Sequence, residues 1–478
     1  MKKYEAVIQV GGKLREQGYK PYLVGGCVRD LLLGKLPHDF DIAADAPPDA
    51  VLAMFGGYTL VTAGIKHGTV TVMIPDGDSK VPVEITTFRV DGEYSDCRRP
   101  DAVTFSTSVE DDLARRDFTI NAMAVSVNEN FSDSADEPDI IDPYGGRTDL
   151  QNKIVRAVGD PHVRFTEDAL RILRGLRFAA VLGFEIEQNT AGAMLTLCDN
   201  IRKLSGERVA GEILRMFAVR NGSVLPPLLR EFREVFARVF PELRECFGFD
   251  QRSRYHSYDV YEHLVRATAA CDRALYMIGM IDMTGCAPDC EHLPILRLSM
   301  FLHDTGKPRT YAPEGGVGHF PGHPQAGANI SKAAAYRLKL SNRDTKLLTD
   351  LILLHDTPLT DIAEKPASDV FVKKKMSEWG LTFLQLLAAA HVADALGKQP
   401  EDYKDPRIPL YQHFANRAKE IADRGECVTV AELAVTGADI AALGYSGKDI
   451  GEALGKLLSA VIEERLVNTK EQLLEYLR

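Results

Sequence analysis

The sequence predicts an α+β protein, in which an N-terminal head holds a mixed sheet with helices and the remainder is all-α. Up to about residue 155, short β-prone runs such as KPYLVGG, GTVTVMI and VPVEITTFRV alternate with helical stretches. Beyond it the pattern is helical, rich in arginine to about residue 230 and in histidine from 255 to 400. These changes predict a head (1–155), a helical neck (156–230), a second helical domain (231–400) and a helical tail (401–478).

The composition narrows the class of protein. Hydrophobic residues make up 45% and charged residues 26% of the 478, so large cores are expected and disorder is not. The uncharged apolar stretch 380–393 is shorter than the roughly 18 residues of a membrane span, which predicts no membrane segment. Eight scattered cysteines are typical of a reducing cytoplasm. The net charge of −11 argues against general nucleic-acid binding, although residues 151–220 carry 11 Lys/Arg against 8 Asp/Glu.

A glycine turn followed by two aspartates marks the segment YLVGGCVRDLLLGKLPHDFDIA. Gly25 and Gly26 free backbone amides at the start of a predicted helix, where phosphate binds, and Arg29 adds a charged fork one turn later. In the next predicted strand, alternation places Asp39 and Asp41 on one face. Such carboxylates repel each other unless a cation lies between them, and Mg²⁺ prefers oxygen ligands. A solvent-facing strand edge is the alternative.

The strand VPVEITTF offers a third carboxylate for the same site. Glu84 lies between apolar neighbours and can approach the two aspartates from an adjacent strand, or simply face solvent. A phosphate-binding turn beside paired carboxylates predicts phosphoryl or nucleotidyl transfer with two metal ions.

Six blocks in order support a narrower assignment: VGGCVRDLLLGKLPHDFDIA, TTFRVDGEYSDCRRPDAVTF, RRDFTINAMA, DPYGGRTDL, RFTEDALRILRGLRFA and LSGERVAGEILR. The Gly-Gly and Asp-Phe-Asp-Ile elements resemble the polymerase-β-type nucleotidyltransferases. The whole set resembles the class II tRNA nucleotidyltransferases, or CCA-adding enzymes, over about residues 20–220. This resemblance implies addition of C, C and A to the 3′ end of tRNA from CTP and ATP, without a nucleic-acid template.

Without a template, protein side chains must recognise the incoming base. Asp168 and Arg171 of EDALR lie three apart on a predicted helix face, and together they offer the acceptors and donors that cytosine and adenine require. Arg174 is expected to pack beside them. The resemblance implies that Arg116 and Asp117 contact the ribose. The alternative for Asp168 and Arg171 is an ordinary salt bridge, and the alternative for Asp117 is a helix-capping role.

Two further blocks bear on the type of enzyme. The segment FRVDGEYSDCRRPDAVTF resembles the flexible loop of full CCA-adding enzymes, which is shortened in CC-adding relatives, so CCA addition is favoured. Bacterial poly(A) polymerase shares the head and is the alternative. In LSGERVAGEIL, Arg208 is expected to brace the neck.

The histidine-rich blocks VYEHLVRA, MFLHDTGKP, GHPQAGA, LILLHDTP and AHVADALG resemble the HD phosphohydrolase domain. A buried His-Asp pair at the end of an apolar helix is costly unless it is satisfied, and a metal ion satisfies it. Imidazole and carboxylate ligands suit Ni, Mn, Co, Fe or Zn. The resemblance implies hydrolysis of phosphate esters by a metal centre, and a bracing domain without activity is the alternative. Its candidate ligands are His263, His303, Asp304 and Asp394, with His323 and His355 for a second ion.

The tail contributes one candidate RNA contact. Gly447 and Lys448 of SGKDIG lie at a predicted helix start, where a backbone phosphate can bind, although a plain turn between helices is the alternative. An HD phosphohydrolase with an inactive RNA-binding head is a further reading of the whole chain. The sequence gives no oligomeric state.

Overall fold

The computed structural model describes residues 3–37, 39–77, 79–92, 103–127, 140–253, 256–281, 291–400 and 404–478. These residues divide into two compact units, Met1–Met216 and Phe217–Arg478. The division into head, neck, second helical domain and tail remains a prediction.

The described strands are short, apart from β4 and β5. They are β1 Tyr22–Val24, β2 Asp41–Ala44, β3 Thr59–Val61, β4 Thr69–Asp76, β5 Ser79–Thr87, β6 Arg89–Asp91, β7 Val103–Phe105, β8 Ala124–Ser126, β9 Ile140–Ile141, β10 Ile154–Val155, β11 Glu185–Ile186, β12 Ala312–Glu314 and β13 Val317–His319.

Helices dominate the rest of the described chain. They are α1 Lys3–Glu16, α2 Gly26–Leu32, α3 Pro48–Met54, α4 Val109–Ala114, α5 Gly146–Asn152, α6 Pro161–Glu167, α7 Leu170–Leu182, α8 Gln188–Leu197, α9 Gly206–Phe217, α10 Leu225–Glu231, α11 Arg233–Val239, α12 Val260–Ala269, α13 Cys271–Met277, α14 Leu293–Leu302, α15 Lys307–Thr310, α16 His323–Arg337, α17 Asn342–Leu354, α18 Asp369–Trp379, α19 Leu381–Lys398, α20 Ile408–Asp423, α21 Gly437–Ala441, α22 Lys448–Ile462 and α23 Lys470–Tyr476.

The main sheet has the strand order β3-β4-β5-β2-β1-β8-β9. The β2–β5 pair is parallel and its neighbours are antiparallel, so the sheet is mixed, and the α+β prediction is confirmed. Alternation along the strands separates an apolar face from a polar one. Ile42, Val83 and Ile85 are buried on the first face. Asp41 and Glu84 therefore project from the other face, next to each other.

The second unit is built around α19, whose apolar residues face neighbouring helices on nearly every side. Leu387, Ala390 and Val392 are fully buried there, together with residues from α12, α13, α14 and α20. A smaller core joins Leu433, Leu457 and other tail residues. Among the described helices, none alone is long and apolar enough to cross a membrane. Taken together, α18 and α19 are long and apolar enough for a span, but the chain bends by 111° between them.

Candidate nucleotide-binding site and metal centre

The turn between β1 and α2 forms one wall of a cavity in the head. Gly25 has a φ of 78°, and a Cβ there would lie 2.7 Å from Nη1 of Arg116, so only glycine fits without displacing that side chain. At Gly26 the closest atom to an added Cβ is 3.5 Å away, which is an ordinary contact. The first glycine is thus demanded by both backbone conformation and space, whereas the second is demanded by neither.

Two of the three predicted carboxylates lie on adjacent strands. Asp41 opens β2 and is in direct parallel register with Glu84 of β5. Asp39 precedes the strand and is exposed, so the expectation that both aspartates lie within one strand is wrong. The reason is that β2 pairs with its neighbours only from Asp41 onward.

The carboxylates influence one another electrostatically. Burial and then the charge of Glu84 raise the pKa of Asp41 to about 6, with a smaller contribution from Asp39, and Arg116 opposes the shift. A raised pKa in a carboxylate cluster means that ionising all members is unfavourable without a cation. The groups of ligand-type residues within 4.8 Å of one another that the described residues form do not include these carboxylates, so a Mg²⁺ ion held here stays a prediction.

Asp117, one of the two predicted ribose-contacting residues, is buried, and both of its carboxylate oxygens accept hydrogen bonds from the protein. Its Oδ1 accepts hydrogen bonds from the Phe118 amide at 2.8 Å and from Nδ2 of Asn121 at 3.1 Å, while Oδ2 accepts from Nε of Arg174 at 2.7 Å. Burial alone would raise the pKa of Asp117, but the charge of Arg174 outweighs it and lowers the pKa to about 2. Arg116, the other candidate, pairs with Asp112 at 2.9 Å.

Asp168 and Arg171 line the same cavity but do not share a helix face. Asp168 has extended backbone in the break between α6 and α7, so the single helix predicted through EDALR is wrong. Each side chain is held separately. Oδ2 of Asp168 accepts from Nη2 of Arg208 at 2.8 Å, and Nη1 of Arg171 donates to Oε2 of Glu167 at 2.6 Å. The two residues thus face the cavity as a separate acceptor and donor rather than as a salt bridge.

The cavity has a volume of about 450 Å³ and a strongly basic lining. Six arginines and three aspartates contribute to the lining itself, a balance of +3, and Asp30, Asp112 and Glu167 outside the lining pair with four of these arginines. The lining residues are Gly25, Gly26, Arg29, Asp41, Arg115, Arg116, Asp117, Asn121, Asp168, Leu170, Arg171, Arg174, Phe178 and Arg208.

The structure adds residues that the sequence did not reveal as part of the site. Arg208 contacts Asp168 directly, beyond the bracing role expected for it. Asn121 accepts a hydrogen bond from Nη1 of Arg29 at 2.7 Å. Phe178 also lines the cavity. Asn121 belongs to the RRDFTINAMA block and Phe178 to the RFTEDALRILRGLRFA block. Membership of these blocks was the sequence feature that could have identified them as site residues.

A second group of ligand-type residues lies in the other unit. His263, His303, Asp304 and Asp394 bring one potential ligand atom each within 4.8 Å of the others, and Asp304, His323 and His355 form an adjoining group. Asp304 belongs to both. Its Oδ2 lies 3.2 Å from Nε2 of His263, whereas its Oδ1 lies 3.4 Å from Nε2 of His323. The two oxygens of Asp304 therefore face different histidine nitrogens, so this carboxylate would be the shared ligand if both groups held a cation.

Backbone carbonyls fix the orientation of three of these histidines. Nδ1 of His303 is 2.8 Å from the Met300 carbonyl, and His323 and His355 make the same contact at 2.9 and 2.7 Å. Because a carbonyl only accepts, Nδ1 must carry a proton, which leaves Nε2 of each ring facing the cluster as the atom that could bind a metal ion. Second-sphere contacts of this kind orient metal-binding histidines.

The cluster is incompletely satisfied by protein alone. Asp304 is 1% exposed, and neither of its carboxylate oxygens has a hydrogen bond of acceptable geometry, although Nζ of Lys307 lies 2.5 Å from Oδ2. Burial opposes a charge on His303, but Asp304 and Asp394 outweigh it and raise the pKa of His303 to about 9. Buried carboxylates that attract a proton onto a histidine fit a site for a divalent transition metal.

Two predicted features remain. Gly447, with a φ of 53°, directly precedes α22, so Lys448 begins a helix as expected, and its contact with RNA stays a prediction. The loop predicted to distinguish CCA from CC addition lies largely outside the described residues, at 93–102.

The mixed sheet, the glycine turn and the adjacent carboxylates are the features expected of a polymerase-β-type nucleotidyltransferase head. Three family models match the chain in agreement with this. Residues 21–156 match the poly(A) polymerase head domain. Residues 183–247 match a model described as "Probable RNA and SrmB-binding site of polymerase A", and residues 382–477 match domain 2 of tRNA nucleotidyltransferases.

Two curated CCA-adding enzymes are similar to a little under half of this chain. A CCA-adding enzyme of Leuconostoc mesenteroides is 47% identical over 204 residues, which are 43% of this chain and 47% of the relative. One from Enterococcus faecalis is 44% identical over 235 residues, 49% of this chain and 53% of the relative. Over the matched residues, the chain is similar to CCA-adding enzymes. It spans about half the length of the curated relatives that it matches.

Solved structures agree over a greater length. The Bacillus stearothermophilus CCA-adding enzyme in complex with CTP is 26% identical, with a TM-score of 0.62, and the match covers 100% of this chain and 97% of that one. The Thermotoga maritima CCA-adding enzyme complexed with tRNA has a TM-score of 0.56 at 19% identity, over 99% of this chain and 94% of that one, and supports the fold alone.

Proposed function

We propose that this chain adds C, C and A to the 3′ end of tRNA from CTP and ATP, by template-independent nucleotidyl transfer. The observation that carries this proposal is the charge of the head cavity. Its lining bears six arginines and three aspartates, a balance of +3, in a chain whose net charge is −11. A local excess of this kind favours a polyanion such as a nucleoside triphosphate.

The residues divide the work as follows in this proposal. Arg29 and the turn at Gly25 bind the triphosphate, Asp117 accepts from the ribose hydroxyl, and Asp168 and Arg171 contact the base edge. Asp39, Asp41 and Glu84 would hold two Mg²⁺ ions, which supply Lewis-acid stabilisation of the transferring phosphoryl group when bound. The remaining cavity arginines add positive charge beside the triphosphate.

The test is incubation of tRNA lacking its 3′ CCA with Mg²⁺ and labelled CTP, ATP or both. The proposal predicts two added C residues with CTP alone and a complete CCA end with both nucleotides. Addition of many A residues from ATP alone would identify a poly(A) polymerase instead. No addition under any condition would leave the head as an inactive RNA-binding scaffold.

As a second function we propose metal-dependent hydrolysis of phosphate esters at the histidine-rich centre. The supporting observation is Asp304, whose two oxygens face different groups of histidine nitrogens. Ni, Mn, Co, Fe or Zn would suit the ligands and would lower the pKa of a bound water. A tRNA 3′ end blocked by a phosphate or a 2′,3′-cyclic phosphate is a suitable substrate, because its removal frees the hydroxyl that nucleotide addition requires.

This second proposal is tested by metal analysis of protein purified without chelator, with assays on 2′,3′-cyclic AMP and p-nitrophenyl phosphate in Ni²⁺, Mn²⁺ or Co²⁺. Bound metal and hydrolysis that disappear in Asp304→Ala would support it. Neither bound metal nor hydrolysis would leave the domain with a bracing role only.

Two further proposals concern an RNA contact in the tail and the cellular location. Lys448, at the start of α22, is proposed to contact an RNA phosphate. Among the described residues, Cys27, Cys246, Cys271 and Cys427 form no disulfide. Free thiols suit the reducing cytoplasm where tRNA is processed, and we propose that location.

A further inference from the structure

Three arginines of the head approach one aromatic ring. The guanidinium carbons of Arg29, Arg174 and Arg177 lie 5.2, 5.5 and 4.1 Å from the ring centroid of Phe178. Three positive groups so close together repel one another, whereas the electron-rich face of an aromatic ring attracts each of them. The ring is itself fixed, because Phe178 is only 6% exposed and meets Phe118 edge-on at 5.8 Å.

A buried amide connects two of these arginines, Arg29 and Arg174, on their polar side. Oδ1 of Asn121 accepts from Nη1 of Arg29 at 2.7 Å, and its Nδ2 donates to Oδ1 of Asp117 at 3.1 Å. Oδ2 of Asp117 accepts from Nε of Arg174 at 2.7 Å. Guanidinium groups only donate and carboxylates only accept, so this amide can satisfy both neighbours in one orientation only. Arg29, Asn121, Asp117, Arg174 and Phe178 therefore form a closed ring of contacts.

We propose that Phe178 and Asn121 are positioning residues that hold Arg29, Asp117 and Arg174 ready for the nucleotide before it binds. The inference rests on the proposed function, because it takes the ligand to be a nucleoside triphosphate. Long guanidinium side chains lose rotamer freedom when they bind an anion, and prior fixation reduces that loss. Phe178 and Asn121 thus act on nucleotide affinity through their neighbours, without the need to contact the reacting atoms.

The primary test is Phe178→Leu, which replaces the aromatic ring by an apolar side chain of similar reach. The companion variant Phe178→Tyr keeps an aromatic ring at this position. Phe55→Leu is the matched control, since Phe55 is also buried, has Lys13 over its ring at 5.5 Å and does not line the cavity. Binding of CTP and ATP to the full chain is measured by titration calorimetry, alongside KM and kcat for addition. Melting temperatures report on folding.

We expect Phe178→Leu to weaken binding of both nucleotides and to raise both KM values by roughly tenfold, with a smaller change in kcat. Phe178→Tyr and Phe55→Leu should bind like the wild type. Unchanged binding in Phe178→Leu would overturn the inference, as would an equal loss in the control variant.

A double-mutant cycle covers the case in which the ring variants fold poorly. If Asn121 acts through Arg174, then Asn121→Ala should weaken CTP binding much less in an Arg174→Ala background than in the wild type. Effects that multiply independently, to within about twofold, would contradict a positioning role. A wild-type chain that binds neither nucleotide would overturn the proposed function together with this inference, whereas normal wild-type binding with insensitive variants would overturn this inference alone.

Discussion

Removal of Asp168 should damage nucleotide selection more than it damages the fold. Its carboxylate makes two described hydrogen bonds with the protein, to the Leu170 amide at 3.0 Å and to Arg208 at 2.8 Å, and it lines the cavity. Arg171 is held by Glu167 and by backbone carbonyls of Arg164 and Arg115 at 3.1 and 3.0 Å. Arg171 should therefore stay in place in Asp168→Ala, so this variant tests the loss of the Asp168 acceptor alone.

The size of the effect follows from the charge of the lost acceptor. A hydrogen bond to a charged group contributes about 1.5–3 kcal/mol. At about 1.4 kcal/mol for each factor of ten, kcat/KM for CTP and ATP should fall by roughly 10- to 150-fold. The values for GTP and UTP should change little, because their edges do not match this acceptor. Discrimination among the four nucleotides should shrink accordingly.

Single-nucleotide addition to tRNA ending before its CCA, with each of the four triphosphates, measures this loss. Asp160→Ala is a matched control, since Asp160 also accepts an amide hydrogen bond at a helix start, from His162 at 2.9 Å, and lies outside the nucleotide cavity. Arg208→Ala should reproduce part of the defect by releasing Asp168. If Asp168→Ala retains strict preference for C and A at an unchanged rate, base recognition lies elsewhere.

Three further predictions concern the two metal sites and the buried Asp117. Asp41→Asn should reduce nucleotide addition by a hundredfold or more, on the order of several kcal/mol, with tRNA affinity retained in a filter-binding assay; normal addition would refute its role. Asp304→Ala should lose transition metal by elemental analysis and lose phosphate-ester hydrolysis while CTP incorporation persists, and retained metal would contradict the bridging assignment. The pKa of Asp117 is about 2 in the folded protein and 3.8 without the fold. The ionised carboxylate therefore stabilises the fold fully above pH 3.8, and this contribution is lost as the pH falls through the folded-state pKa. The stability advantage of the wild type over Asp117→Asn should therefore shrink by about 2 kcal/mol between pH 5 and 2 in thermal melts, whereas a constant difference would contradict the shift.

Strand periodicity predicted the face on which Asp41 lies and left Glu84 as a possible neighbour, but it wrongly placed Asp39 within the strand. Glu84 and Asp41 each alternate with apolar neighbours, so burial of those neighbours leaves both carboxylates on the opposite face. The parallel register that places them side by side could not be read from either strand, because register depends on how the chain returns to the sheet. The sequence likewise predicted that His303 follows an apolar helix, which α14 confirms by ending at Leu302.

The error at Asp168 has a local cause. EDALR is composed of good helix formers except for the aspartate, whose carboxylate competes for backbone amides near helix starts. Here its Oδ1 accepts from the Leu170 amide, and the helix is interrupted at that point. The pairing of Asp168 with Arg208 joins residues 40 positions apart, and that of Arg174 with Asp117 joins residues 57 apart. Spacing rules within a helix carry no information about such contacts.

The two kinds of charge in the head cavity explain why neither a free nucleotide nor a free cation balances it. The lining holds three more arginines than carboxylates, and its arginines also pair with carboxylates of the chain such as Asp112 and Glu167. At Asp41 the situation is reversed, because burial and Glu84 raise its pKa and a cation would relieve that cost. In the proposed function, a magnesium-bound triphosphate would bring both charges in one ligand, with Asp41 and Glu84 available to the metal and the arginines available to the phosphate oxygens. Each half of the ligand would then make binding of the other half more favourable.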